Sequence, residues 1–452
     1  MPSRGVSSHY SIEAGVMMDL TKRARWAYGV AIFGFVFALM LPKGDCVAQS
    51  LTEQGFHEVR SEHMTLVTDL EIDRELRNWP VYLDQALEQW KQIFKPAPSE
   101  LLRLHATVYL VGDRTKWENA GLLREVPFLQ DGYQLGSKLF VVEQPSEFYR
   151  RMLFLHEATH WIMYEWLGGA GSPWLMEGMA DYLSTHQLQN DRVSLGYFPV
   201  SAEEVPSWGR ILLVQKSMEQ KSAPKLSEIL AFSDMRQRRM DRYCWSWAAV
   251  YFFDHHPEHG EDFRSLYRGE LDYSLAASKQ LKDLLEEDWK KISIQWRCYL
   301  DDLEFGYSPR LMLQWGDKEL QTVKIGEPRK VSIQADRGWQ STGIVLEAGE
   351  TINVNSTGSV GVKQLSDGQS WQATPKGISV EYNRGHKLGA LIGVLAPLEA
   401  EQPSEIWSRV FVGSKSTLQA TERSCLLLRV NESAAGVNDN SGAFSVEITP
   451  AQ

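Results

Sequence analysis

Two histidines four residues apart carry the first chemistry of this chain, in the run His156-Glu157-Ala158-Thr159-His160. On a helix, residues i and i+4 share one face, so both imidazoles can address one ion with Glu157 beside it. Neutral imidazole nitrogens suit zinc at about 2.0–2.1 Å, because this ion imposes no geometry of its own. The pair alone is weak evidence, since a solvated helix face can carry the same residues. The next stretch of sequence is more specific. Ser172-Pro173 starts a second helix, with Ser as its cap and Pro in its first turn. That helix reads Trp174-Leu175-Met176-Glu177-Gly178-Met179-Ala180-Asp181-Tyr182. Folded back on the first, it brings Glu177, 17 residues after His160, to the same ion. Asp181, one turn further, is placed to accept the other N–H of a ligating histidine and so set its tautomer. Three protein ligands leave one position for water, which is the arrangement of a catalytic site.

Such a site is built for hydrolysis. Zinc lowers the pKa of its bound water from ~15.7 toward about 7. Glu157 would take the proton as that water attacks a carbonyl and deliver it to the leaving amine. The developing oxyanion calls for one donor besides the metal. Tyr243, in Arg242-Tyr243-Cys244-Trp245-Ser246-Trp247, is the chosen candidate. His255, His256 and His259 lie beside Pro257 and Gly260 and read as polar groups of a solvent-facing loop.

These groups need a helical hairpin to hold them, and the surrounding pattern supplies one. Pro145-Ser146 opens a helix that runs to Leu167 and stops at Gly168-Gly169. Upstream, His63 to Thr68, His105 to Val111 and Lys138 to Gln144 read as strands, and Glu75 to Phe94 as a helix ending before Pro96. After Glu304 helical periodicity gives way to short β-rich runs separated by Gly, Asn, Asp and Ser, the pattern of an all-β sandwich. The expected fold is multidomain: an α+β domain over residues 49–307, a linker over 308–327 and an all-β sandwich over 328–452.

Residues 1–48 are expected to be a signal peptide. Lys22, Arg23 and Arg25 precede an apolar run of 16 residues, Trp26 to Leu41, and Cys46-Val47-Ala48 supplies small residues at the exit. The run is short of the ~20 residues a membrane span needs, so no stable span is expected after its removal. The expected location is periplasmic, cell-surface or extracellular. The 452-residue chain sets 47 Lys plus Arg against 58 Asp plus Glu, a net charge of −11. An acidic chain without a basic block has little means of neutralising phosphates, which argues against nucleic acid as a partner. Cys244, Cys298 and Cys425 remain after signal removal. A Cys244–Cys298 bridge and three buried thiols are both compatible with their positions.

On these residues the chain resembles the gluzincin metallopeptidases, whose pattern is HExxH followed by a Glu on a second helix. Trp174 to Tyr182 (WLMEGMADY) is close to the W-L-x-E-G-x-A form of bacterial members, uncharacterised exported proteins among them. The resemblance spans roughly residues 55–305. It implies His156, His160 and Glu177 as zinc ligands, Glu157 as catalytic base and Asp181 as the group that orients a ligand. It also implies an edge strand at Lys138 to Gln144 that pairs with an extended peptide substrate, and a Tyr near position 243. Met176 stands where the best-known members have Asn, so their substrate preference is not carried over.

Pro328 to Thr449 is similar to the calcium-dependent, galactose-binding lectins of the PA-I type. The similarity rests on Gly338 to Ile344 (GWQSTGI), Leu346 to Ile352 (LEAGETI), Leu388 to Gly393, Asn431-Glu432 and Asn438 to Val446 (NDNSGAFSV). In that family the last loop wraps calcium, an ion that prefers several hard oxygens. By position the resemblance implies Glu432, Asp439 and Asn440 as calcium ligands. Glu432 is longer than the family's Asp, and Trp371 to Gly377 lacks its His-containing sugar loop. A sandwich with a polar turn and no ligand therefore stands beside the calcium and glycan reading, and Trp339 and Trp371 read either as sugar-stacking or as core.

The expected function is an exported zinc-dependent metallopeptidase acting on protein or peptide, with an appended carbohydrate- and calcium-binding-like module. The alternative is a non-catalytic cell-surface or glycan-binding protein with an inactive peptidase-like domain.

Overall fold

The computed structural model describes residues 51–98, 104–234, 239–268, 271, 272, 274–315, 321, 322, 327–399 and 408–451. The expected signal peptide lies outside them.

Apolar runs of five or six residues build the three inner strands of the first sheet, and four-residue strands flank them. Its strands are β1 (His57–Arg60), β2 (Met64–Thr68), β3 (Ala106–Val111), β4 (Gly132–Leu135) and β5 (Lys138–Val142), in the order β1-β2-β3-β5-β4. β2, β3 and β5 are parallel and covered on both faces. Leu66, Val108, Leu139 and Val141 join the main helical core, while Val67, Val111 and Phe140 pack with Trp117 and Leu129 on the other side. Burial on both faces is why these strands read as continuous apolar runs. β1 and β4 are the antiparallel edges. This corrects the expectation for Lys138 to Gln144: β5 is interior, and β4 takes the edge. A two-residue turn at Gly136-Ser137, with Gly136 at φ +57°, folds Gly132–Leu135 back onto β5 and covers its outer side.

Helix α1 (Arg74–Phe94) starts at Asp73, whose side chain accepts the Leu76 N–H, and ends at Lys95 in the left-handed region. Helix α2 (Glu147–Leu167) has the bounds its punctuation predicts. Ser146 accepts the Tyr149 N–H at its start, and Gly168, at φ +71°, stops it. After α3 (Pro173–Ser184) come a small hairpin of β6 (His186–Gln189) and β7 (Arg192–Leu195), then α4 (Arg210–Glu219), α5 (Arg239–Asp254) and α6 (Trp289–Asp302). α3 packs against both α2 and α5. It crosses α5 so closely that a Cβ on Gly178 would lie 2.5 Å from the Ser246 carbonyl oxygen. Trp79, Trp161, Trp174, Trp208 and Trp247 fill the core between these elements.

The chain then turns to strands: β8 (Gln321–Thr322), β9 (Arg329–Gln334), β10 (Gln340–Leu346), β11 (Thr351–Thr357), β12 (Val360–Gln364) and β13 (Ser370–Ala373). They are followed by β14 (Lys376–Asn383), β15 (His386–Pro397), β16 (Val410–Phe411), β17 (Lys415–Gln419), β18 (Ser424–Val430) and β19 (Ala443–Pro450). One sheet runs β14-β15-β18-β10-β8 with β16 beside β15, and another runs β17-β11-β19-β9. Residues of both sheets, Ile344, Leu391, Leu426 and Leu428 with Val354, Phe444 and Val446, share one buried cluster. A further cluster joins Ile294 and Cys298 of α6 to Trp339, Val345 and Ile392. The molecule is thus mixed, with helices and several sheets, and Leu51 to Gln452 form one compact unit. Among the described residues no helix is long and apolar enough to cross a membrane. Cys244, Cys298 and Cys425 are all buried and unbridged.

Candidate metal centre

α2 and α3 bring His156, His160 and Glu177 together. His156 Nε2 lies 3.1 Å from His160 Nε2 and 3.2 Å from Glu177 Oε2, and His160 Nε2 lies 3.4 Å from that oxygen. Ligands at ~2.0–2.1 Å from a tetrahedral ion stand ~3.3–3.4 Å apart, so this triangle has the size of one tetrahedral face. Two imidazole nitrogens facing each other at 3.1 Å repel unless a proton or a cation lies between them. The three side chains fit a zinc-type ion in both donor chemistry and spacing, and among the described residues they form the one such group.

Behind the triangle runs a buried charge chain. His156 Nδ1 faces Asp181 Oδ1 at 3.2 Å. Arg210, the first residue of α4, donates from Nε to Asp181 Oδ2 at 2.6 Å and from Nη2 to Oδ1 at 3.2 Å. No motif marks Arg210 in the sequence. The available signal was indirect: a carboxylate on the inner face of an apolar helix needs a buried cation as partner. Burial opposes a charge on His156, but the Asp181 and Glu177 carboxylates outweigh it and push the imidazole up to about 10. Burial likewise opposes the charge of Glu177, yet the two histidines hold its carboxyl well below the usual range. Asp181 is held low against its own burial by Arg210 and His156. Without a metal, the site keeps a proton on His156.

Glu157 is buried beside the ligands and lines the same cleft, which has a volume of about 940 Å³. A Cβ on Gly132 of β4 would fall 2.4 Å from Glu157 Oε1, so the edge strand passes directly over this carboxylate. Tyr243 of α5 also lines the cleft, its ring centred 6.1 Å from that of His156. The later histidines are elsewhere. His256 and His259, expected to face solvent, are 3% and 9% exposed. His256 Nε2 pairs with Gln295 Oε1 at 3.0 Å, and its Nδ1 accepts the His259 N–H at 3.1 Å. Burial pulls His256 down to about 4. Their packing against α6 is what the local Pro and Gly signals could not show.

In the C-terminal part, Glu432 Oε2 and Asp439 Oδ1 are buried oxygens that accept no hydrogen bond. Asp439 Oδ2 accepts the Gln364 N–H at 2.9 Å, and Asn440 Nδ2 donates to the Ala335 carbonyl at 3.0 Å. Lys363, between them on β12, sits at φ +56° in a bulge and turns its N–H toward Asn440 Oδ1 at 3.4 Å. Burial raises the Glu432 pKa, and the charge of Asp439 adds to the effect. Unpartnered buried carboxylate oxygens with fixed neighbours form a donor set that suits a hard cation. Trp339 is 1% exposed beneath the guanidinium groups of Arg409 and Arg429, each 5.5 Å from its ring. It is core and has no face for a sugar, whereas Trp371 is only half-buried.

No family model matches the chain, and no curated protein is detectably similar to it. Solved structures give partial likenesses. IMPa from Pseudomonas aeruginosa, in complex with an O-glycopeptide, is 10% identical with a TM-score of 0.16 over 87% of this chain and 42% of that one. Aeromonas hydrophila PliG, a periplasmic inhibitor of g-type lysozyme, is 12% identical with a TM-score of 0.17 over 30% of this chain and 99% of that one. The N-terminal, PllA-like lectin domain of EclA is 21% identical with a TM-score of 0.21, covering 27% of this chain and 95% of that domain.

Proposed function

We propose that this chain is an exported zinc-dependent metallopeptidase. One observation carries the reading: a His156–His160–Glu177 triangle with edges of 3.1–3.4 Å, opening into a cleft that Glu157 shares. Bound there, zinc supplies an activated water and a Lewis acid for the scissile carbonyl. Glu157 accepts the proton released at the nucleophile and hands it to the leaving nitrogen. Gly132 sets how closely β4 approaches that carboxylate. β4 pairs with β5 alone among the described strands, and its free side suits an extended peptide laid along the cleft. Tyr243 donates a hydrogen bond to the developing oxyanion. Asp181, gripped by Arg210, holds His156 in its ligating tautomer. The C-terminal sheets act as a β-sandwich that binds calcium through Glu432, Asp439 and Asn440 and presents a glycan-facing surface.

Purified protein is expected to carry one equivalent of zinc and to cleave members of a mixed peptide library in a chelator-sensitive way. Glu157→Gln should retain the metal and lose ~10²–10⁴-fold in cleavage rate. Stoichiometric zinc with no turnover by the wild type would instead favour a binding protein with an inert peptidase-like half. Undiminished activity in Glu157→Gln would remove this residue from the mechanism.

A further inference from the structure

We propose that a calcium-type cation held by Glu432 and Asp439 braces the C-terminal sheets against the zinc-binding half, stiffening the junction they share. This rests on the calcium reading of the loop and is independent of any zinc chemistry.

The loop after β18 is shared between the two halves. Ala434 and Val437 lie in the same buried core as Tyr307, Met312 and the helices that carry the zinc triangle. The Ala435 N–H donates to Glu304 Oε1 at 3.2 Å. Gly306, at φ +80°, faces the loop so closely that a Cβ there would meet Ala435 Cβ at 2.9 Å. Gly306 in turn donates its N–H to the Pro199 carbonyl at 2.9 Å. Arg429, fully buried, donates from Nη1 to Asp302 Oδ1 at the end of α6 (2.5 Å) and from Nη2 to the Glu432 carbonyl (2.9 Å). Glu432 is therefore fastened to α6 through its backbone, while its carboxylate, offset only in part by Asn440 and Arg429, keeps Oε2 without a donor beside the acidic Asp439. A cation between these oxygens removes their repulsion and stiffens the segment on which the zinc half rests. Because the cation binds the folded loop and not the unfolded chain, its binding energy adds to the stability of everything packed on that loop.

The test uses the full-length, zinc-loaded protein. Calcium is titrated by calorimetry, and amide hydrogen exchange and thermal unfolding are followed with and without it. Calcium should slow exchange in residues 360–364 and 431–441 and, about 5-fold or more, in residues 296–307 across the junction. It should also raise Tm by about 3–5 °C at a hundredfold excess over Kd. Glu432→Gln and Asp439→Asn should each abolish both responses. In calcium-free buffer Glu432→Gln should be at least as stable as the parent, because burial and the Asp439 charge outweigh what Asn440 and Arg429 give the carboxylate. Calcium binding with protection confined to 360–364 and 431–441 would overturn the brace and leave the calcium reading standing. No detectable calcium binding would overturn both. A Glu432→Gln chain less stable than the parent without calcium would show the carboxylate already compensated by protein groups, which also sinks the proposal.

Discussion

Asp181 is placed to act on the proposed metal through His156 without touching it. The residue is fully buried between His156 and Arg210, and each neighbour keeps it charged. Asp181→Asn preserves the shape but leaves Arg210 buried opposite a neutral amide. The variant should lose ~10–100-fold in zinc affinity, measured by competition with a chromogenic chelator. Its apoprotein should be destabilised by ~3–5 kcal/mol in urea unfolding. His156 gives a pH prediction with a definite sign. Its pKa rises from 6.5 to about 10 in the metal-free fold. The stability this contributes is complete below pH 6.5 and is lost as the pH climbs through about 10. At pH 7 zinc must displace that proton, so calorimetry in buffers of different ionisation enthalpy should report about one proton released per zinc bound. A zinc-binding enthalpy that does not vary with the buffer would contradict this assignment.

At the scale of elements, two glycines that lack any chemistry of their own set the geometry. Gly132 and Gly178 are both approached too closely to carry a Cβ, but by different kinds of atom. At Gly132 the obstacle is the end of the flexible Glu157 side chain, which can swing aside. Gly132→Ala should therefore keep its zinc and nearly its full Tm while losing most of its peptide cleavage. At Gly178 the obstacle is the Ser246 carbonyl, fixed in α5. Gly178→Ala has to push α3 from α5 and should cost ~1–3 kcal/mol, seen as a lower midpoint in denaturant. It should also weaken zinc binding, because Glu177 is the preceding residue on the displaced helix.

For the whole molecule, the junction decides whether the two parts melt separately. Asp302 meets Arg429 at 2.5 Å, Asp301 meets Arg384 at 3.0 Å, and Arg409 pairs with Asp301 as well. Ile294 and Cys298 of α6 complete an apolar cluster with Trp339 and Ile392. Such a contact behaves as core rather than as a tether. Differential scanning calorimetry of the protein should show one main transition. Arg429→Ala, which leaves buried Asp302 with only the more distant Arg409 at 3.6 Å as counter-charge, should lower it by the equivalent of ~3–5 kcal/mol. Two well-separated transitions in the parent protein would mean that the halves are energetically independent.

What could be read along the chain was what depends on near neighbours. The bounds of α2 follow from Ser146 and Gly168, and the facing of His156 and His160 follows from the helical repeat. The Glu177 carboxylate was legible because only one short turn separates its helix from theirs. The strands β2, β3 and β5 were legible from their apolar runs, and the change to strands beyond Glu304 from the loss of helical period. Folding decided the rest. Arg210 meets Asp181 across 29 positions, His256 finds Gln295 across 39, and the cleft edge falls to β4 because a hairpin turns back over β5. Periodicity and capping act within a few residues, whereas these pairings are selected by which buried charge lacks a partner and which face remains uncovered once the elements pack.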